Sequence, residues 1–199
     1  MTGAPPEPFL RLLEVFDRLE IPYMVSGSVA SGMYGQVRMT GDVDFIARVR
    51  EDDIEGFVAE LRTEFYIDAD QIRLAIRRQR SFNVIHFRSS FKFDIFPLGN
   101  DRYQQTQFGR RRYEQSQLFS SDSGDAIVFV VASPEDVILS KLHWYRLGGE
   151  SSEQQWNDVL GVITIQRERL DFDYLREWAA YLKVDDLLER MLAERHEPL

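Results

Sequence analysis

The sequence predicts a mixed α/β domain followed by a helical region. Short β-prone apolar runs alternate with amphipathic helical stretches through the first two thirds of the chain. At Ser133-Pro134-Glu135-Asp136 the character changes: Ser stands at a helix cap, Pro at the first position and acids follow, and the pattern is helical from there on. The length of 199 residues, 44% hydrophobic and 29% charged, suits a globular protein with a substantial core, as one large domain or two small ones. We expect an α/β domain over 1–132 and a helical region over 133–199.

The elements follow in order. Pro8 suits a first helical turn, and Phe9, Leu12, Leu13, Phe16 and Leu19 follow at helical spacing, so 8–19 reads as an amphipathic helix ended by Ile21-Pro22. Tyr23 to Ser26 reads as a buried strand and Gly27-Ser28 as a tight turn. Residues 29–35 read as a short helix stopped by Gly35. Val43 to Val49 reads as a second strand. Glu51, Asp52 and Asp53 suit the N-terminus of a helix whose apolar face is Ile54, Phe57, Val58 and Leu61. Asp70 to Arg80 is helical. Phe82 to Phe87 and Phe91 to Pro97 read as a hairpin across Arg88-Ser89-Ser90. Alternation along the second of these strands puts Asp94 on the face opposite Phe91, Phe93 and Ile95. Residues 99–124 read as an irregular connection with one strand near Tyr113 to Phe119. Ala126 to Val131 reads as a strand. Helices are then expected over Pro134 to Leu147, from the Ser152 region to about Gln166, from Asp171 to Leu182, and from Asp185 to about Arg195.

Bulk properties exclude several classes. The chain has no cysteine, so a disulfide framework or a thiolate metal site is excluded. Met1 to Pro8 lacks a basic stretch followed by an apolar one, and no window approaches a membrane-spanning length, so neither a signal peptide nor a membrane partner is expected and a cytoplasmic location is. The formal net charge of −9 weighs against sequence-independent binding of long nucleic acid. Local clusters at Arg73, Arg77, Arg78 and Arg80, and at Arg110 to Arg112, leave RNA open as a partner, although solvated arginines on helix and loop surfaces are the favoured account of each. His86, His143 and His196 lack ligand spacing and are assigned no metal; packing is the favoured account of His86, with a supporting contact beside the Asp94 strand as the alternative.

The chemistry concentrates between residues 21 and 46. Asp42 and Asp44 lie two positions apart on a strand, so both carboxylates leave one face, roughly 7 Å apart at the backbone. Such a pair repels unless a cation lies between. Mg²⁺ takes oxygen ligands, commonly one or two carboxylates with water and substrate phosphates. A third carboxylate on a neighbouring strand would complete the set, and Asp94 is available. An Asp-x-Asp alone is common at turns and solvated edges, but Val43, Phe45 and Ile46 make a buried strand here, where charge needs a reason. Gly27 permits close backbone approach, Ser28 offers an N–H and a hydroxyl, and the following helix would aim its N-terminus at an anion.

Gly-Ser, about a dozen residues, Asp-x-Asp and a later strand aspartate together resemble the nucleotidyltransferase superfamily related to DNA polymerase beta. The resemblance covers roughly residues 21–97 and is closest at Val-Ser-Gly-Ser-Val-Ala-Ser-Gly-Met-Tyr-Gly and Arg-Met-Thr-Gly-Asp-Val-Asp-Phe. It implies a mixed-sheet nucleotidyltransferase domain with a helical C-terminal extension. Gly27 and Ser28 would hold nucleotide phosphates, and Asp42 and Asp44 would bind metal. Asp94 would be the third ligand or the base that activates the acceptor. Arg38 and Thr40 would hold a phosphate or shape the loop before the carboxylates. Within the superfamily the chain looks most like the bacterial branch that includes AbiEii-type toxins. That likeness gives Lys141 a phosphate contact and Asp158 a part in positioning or deprotonating the acceptor; Arg146 is the nearest cation to the family's second lysine. Lys141 reads equally as a helix lysine snorkelling past Val137 and Tyr145, and Asp158 as a surface acid.

The implied activity is Mg²⁺-dependent (or Mn²⁺-dependent) transfer of a nucleoside monophosphate from a nucleoside triphosphate to an acceptor: a small molecule, a protein side chain or an RNA end. A toxin–antitoxin or defence role is implied by the branch alone. The alternative is a catalytically inactive module that keeps the fold and binds a nucleotide or a partner.

Overall fold

The computed structural model describes residues 7–37, 41–120 and 126–194. The chain forms two compact units.

The first unit is built on a mixed sheet. Its strands, in chain order, are β1 (Tyr23–Val25), β2 (Asp42–Ala47), β3 (Phe65–Tyr66), β4 (Phe82–His86), β5 (Lys92–Pro97), β6 (Arg112–Ser120) and β7 (Ala126–Val131). Among the described residues they lie in the order β3-β4-β5-β2-β1-β7-β6. β2 is central, antiparallel to β1 with Val25 opposite Phe45, and parallel to β5 with Asp44 opposite Asp94. Parallel pairing needs a long crossover. Here it contains a 3-10 turn (Glu51–Asp53), α3 (Ile54–Leu61), β3, α4 (Ala69–Arg78) and β4.

Strand alternation decides which face is core. In β2 Val43, Phe45 and Ala47 are buried, and in β5 Phe93, Ile95 and Pro97 are. The N-terminal helix α1 (Glu7–Arg18) lays Phe9 and Phe16 against Phe45, with ring centres 6.1 and 5.5 Å away. Phe16 also stacks on Phe57 of α3 at 5.4 Å, and Phe45 meets Phe93 at 6.0 Å. Burying each such ring contributes roughly 1.5–3 kcal/mol, so this aromatic layer fixes the register of β2 and with it the opposite face.

The hairpin expected over 82–97 is present as β4 and β5. Within the stretch expected to be an irregular connection, residues 99–120 are more ordered than their composition suggests, and 121–124 lie outside the described residues. Asp101 caps α5 (Arg102–Gly109), its carboxylate accepting from the N–H groups of Tyr103 and Gln104, and Tyr103, Gln107 and Phe108 form the buried side.

The second unit contains α2 (Gly27–Tyr34), α6 (Pro134–Leu147), α7 (Glu153–Gln166), α8 (Phe172–Leu182) and α9 (Asp185–Glu194). Three of the caps expected from the sequence function: Ser133, Ser152 and Asp171 accept from the N–H groups of Asp136, Gln155 and Tyr174, whereas Asp185, expected as a cap, is the first residue of α9. Asp136 is fully buried; it accepts from the Ser133 hydroxyl at 2.6 Å and from the Tyr174 hydroxyl at 2.7 Å, tying α6 to α8. Gly35 follows α2 where it meets α7. A Cβ there would lie 2.9 Å from the backbone nitrogen of Val162 and 3.0 Å from the Ser31 carbonyl oxygen, so glycine is required by close backbone approach. Among the described residues no helix is long and apolar enough to cross a membrane.

Candidate functional site

The alternation that buries Val43, Phe45, Phe93 and Ile95 turns Asp42, Asp44, Lys92 and Asp94 to the other face of the sheet. Parallel register places Asp42 opposite Lys92 and Asp44 opposite Asp94. Neighbouring strands lie about 4.8 Å apart, so the three aspartates of the first unit share one small area on adjacent strands.

A cation already lies among them. The Lys92 ammonium is 2.7 Å from Asp94 Oδ2 and 3.9 Å from Asp42 Oδ2. The hydrogen bond to Asp94 raises the Lys92 pKa, desolvation opposes this, and the charges of Asp94, Asp42 and Asp44 add to it. The other oxygen of Asp94 accepts a close hydrogen bond from the side-chain amide of Asn83, its register partner on β4. Both oxygens of Asp94 are therefore engaged, and its side chain is 17% exposed.

Neither Lys92 nor Asn83 emerges as a site residue from the sequence. For Lys92 the signal was present: Phe-Lys-Phe-Asp in a strand puts the lysine on the same face as the aspartate. Asn83 required the hairpin register.

Three carboxylates offer the hard oxygen ligands that Mg²⁺ or Mn²⁺ takes, and the ammonium marks where these side chains attract positive charge. In chemistry the residues fit a divalent cation. In the arrangement with Lys92 inserted, no group of three or more Asp, Glu or His side chains among the described residues is gathered to hold one.

The Ser26 N–H donates to the Asp44 carbonyl at 2.8 Å, so the chain leaves the sheet alongside Asp44. The next residue, Gly27, has φ 57, a left-handed conformation that glycine adopts without strain. Ser28 follows in the first turn of α2, its carbonyl accepting from the Ser31 hydroxyl at 3.0 Å. Arg38 and Thr40 lie outside the described residues.

In the second unit Lys141 and Asp158 bond to one another. Nζ is 2.7 Å from Oδ2, and each side chain is 9% exposed. Asp158 is thus not a solvated acid, and Lys141 does not reach past its neighbours to open water. Arg146 donates to both carboxylate oxygens of Asp186, at 2.5 and 2.7 Å, which lowers the Asp186 pKa, and it also pairs with Glu150.

Other candidates resolve into structure. His86 is buried against Phe65, and its Nδ1 meets the Ser89 hydroxyl at 2.9 Å across the hairpin turn. Arg73 is held by Glu51, Glu55 and Asp70. Arg111 lies over the Phe108 ring at 4.2 Å and donates to its carbonyl.

No family model and no curated protein matches this chain. Solved structures do. The solution structure of the antibiotic-resistance factor ANT(2″)-Ia matches with a TM-score of 0.53 at 12% identity, covering 94% of this chain and 96% of that one. A crystal structure of ANT(2″)-Ia in complex with adenylyl-2″-tobramycin matches at 0.54 and 12% identity, covering 88% and 95%. An antigenic nucleotidyltransferase-like protein from Paracoccidioides brasiliensis matches at 0.51 and 16%, covering 92% and 89%. At these identities the likeness is one of fold: the mixed α/β architecture is shared with these structures.

Proposed function

We propose that this chain is a nucleotidyltransferase that moves a nucleoside monophosphate from a nucleoside triphosphate to an acceptor. The observation that carries the reading is the shared face of Asp42, Asp44 and Asp94, with Asp44 and Asp94 directly opposite in a parallel pair. Asp42, Asp44 and Asp94 would hold Mg²⁺ or Mn²⁺, which when bound neutralises phosphate charge and eases departure of pyrophosphate. Gly27 and Ser28 would present backbone N–H groups to the phosphates, with Arg38, Thr40 and Lys141 as further contacts. The acceptor oxygen attacks the α-phosphorus, and the bond from that phosphorus to the bridging oxygen breaks. Pyrophosphate leaves with the electron pair, and the acceptor proton passes to a carboxylate, Asp94 or Asp158. The protein's part is mainly position and charge.

The ANT(2″)-Ia complex with adenylyl-2″-tobramycin supports a small molecule as the acceptor. The AbiEii-like sequence pattern supports a bacterial toxin–antitoxin or defence setting and leaves a protein side chain or an RNA end open as the acceptor. A cytoplasmic location goes with either, because triphosphates are there. One observation favours a second reading, a catalytically inactive nucleotide- or partner-binding module: the Lys92 ammonium sits among the carboxylates.

The test is incubation with each α-labelled triphosphate, Mg²⁺ and cell extract, wild type against Asp44→Ala. Label should pass to an acceptor with wild type and fall at least about a hundredfold with the variant. Nucleotide binding without transfer would favour the inactive module, and no binding of any triphosphate would sink the enzyme reading and leave only a partner-binding module.

A further inference from the structure

We infer that Lys92 is a displaceable counter-ion that holds the carboxylate site closed to a divalent cation until it swings away. The inference rests on the metal-binding reading of Asp42, Asp44 and Asp94 and deepens it.

Lys92 stands opposite Asp42 on the neighbouring strand and two positions before Asp94 on its own. Its ammonium therefore meets both aspartates without leaving the sheet face, at 3.9 and 2.7 Å. Asp94 has one oxygen on Asn83 and the other on Lys92. A divalent cation that takes Asp94 Oδ2 competes with the ammonium there, because two positive charges at ligand distance of one oxygen repel each other strongly. Displacement is feasible: lysine is a point charge on a flexible four-carbon stem, and this side chain is 39% exposed. Asn83 stays in place and keeps Asp94 aimed. Without a metal, Lys92 relieves repulsion among three carboxylates on one face; with a metal, it is free to meet anionic substrate.

Mn²⁺ binding measured by the loss of its free-ion electron paramagnetic resonance signal, with no nucleotide present, tests this. Sites that persist in Asp44→Asn/Asp94→Asn are subtracted. Lys92→Met should bind Mn²⁺ about tenfold more tightly than wild type, since the competing cation is gone. Lys92→Arg, which keeps the charge, should bind no more tightly than wild type. The metal-free melting temperature of Lys92→Met should fall, and Mn²⁺ should raise it by more than it raises that of wild type. Lys92→Gln serves if the methionine variant does not fold. Equal or weaker Mn²⁺ binding by the neutral variants overturns the counter-ion role while leaving the metal site standing. Absence of the subtracted component from both wild type and variants overturns the role and the metal-binding reading together.

Discussion

Lys141 and Asp158 are a buried ion pair, and such pairs have an asymmetric energetics. Removing one partner strands the other charge away from water, at about 3–5 kcal/mol, whereas replacing both with apolar groups of similar volume is often neutral. With both side chains 9% exposed and 2.7 Å apart, Asp158→Ala should lower the urea unfolding midpoint strongly, and Lys141→Met/Asp158→Leu should recover most of the loss. A single-variant loss under about 1 kcal/mol would show that water reaches the pair. The folded double variant also separates the two roles open to Lys141: loss of triphosphate binding at unchanged stability identifies a phosphate contact. The sequence offered both residues but not their bond, since a pairing 17 positions apart on two helices depends on how α6 and α7 pack. The strand aspartates were more legible, because period two fixes the face as soon as the strand is recognised. Lys92 obeys the same period and shares the face of Asp94.

Helix caps made elements legible. The ends of α6 and the starts of α7 and α8 follow from Ser, Asp and Gly at the expected places. α5 was hidden because its buried side includes Gln107 and its body is Gln-rich, so hydrophobic period failed; Asp101 was the remaining signal. β3, with two residues, is too short for any pattern and exists through pairing with β4. Gly35 shows the opposite case, a readable helix stop whose stricter reason lay elsewhere in the unit. Because the atoms a Cβ would strike are backbone of α7 and α2, Gly35→Ala must push the helices apart. We expect a loss of about 1–3 kcal/mol in chemical denaturation, against a few tenths for Gly109→Ala, where a Cβ meets nothing within 4 Å. Equal losses for the two would remove the close-approach argument.

Over the whole molecule, the sequence named most strands but not their order. β5 beside β2 and β7 beside β1 are non-consecutive neighbours, and a chain read locally carries no record of which strand returns to which edge. Net charge, by contrast, is a whole-chain quantity that sequence states outright, and it bears on the acceptor. At −9 the mean field repels polyanions. The arginine clusters that could override it are partly committed: Arg73 to three carboxylates, Arg111 to the Phe108 ring and carbonyl. A protein that neutralises several phosphates loses affinity steeply with salt, and non-specific nucleic-acid binders reach dissociation constants of about 10⁻⁴–10⁻⁶ M at physiological salt. This chain should bind a labelled single-stranded RNA of about 20 nucleotides more weakly than that range in fluorescence anisotropy, and Arg77→Ala/Arg78→Ala should leave the result unchanged. Micromolar binding that falls steeply between 50 and 200 mM salt and is lost in that variant would instead place an RNA end first among the acceptors. Weak binding leaves a small molecule or a protein side chain as the group that receives the nucleotide.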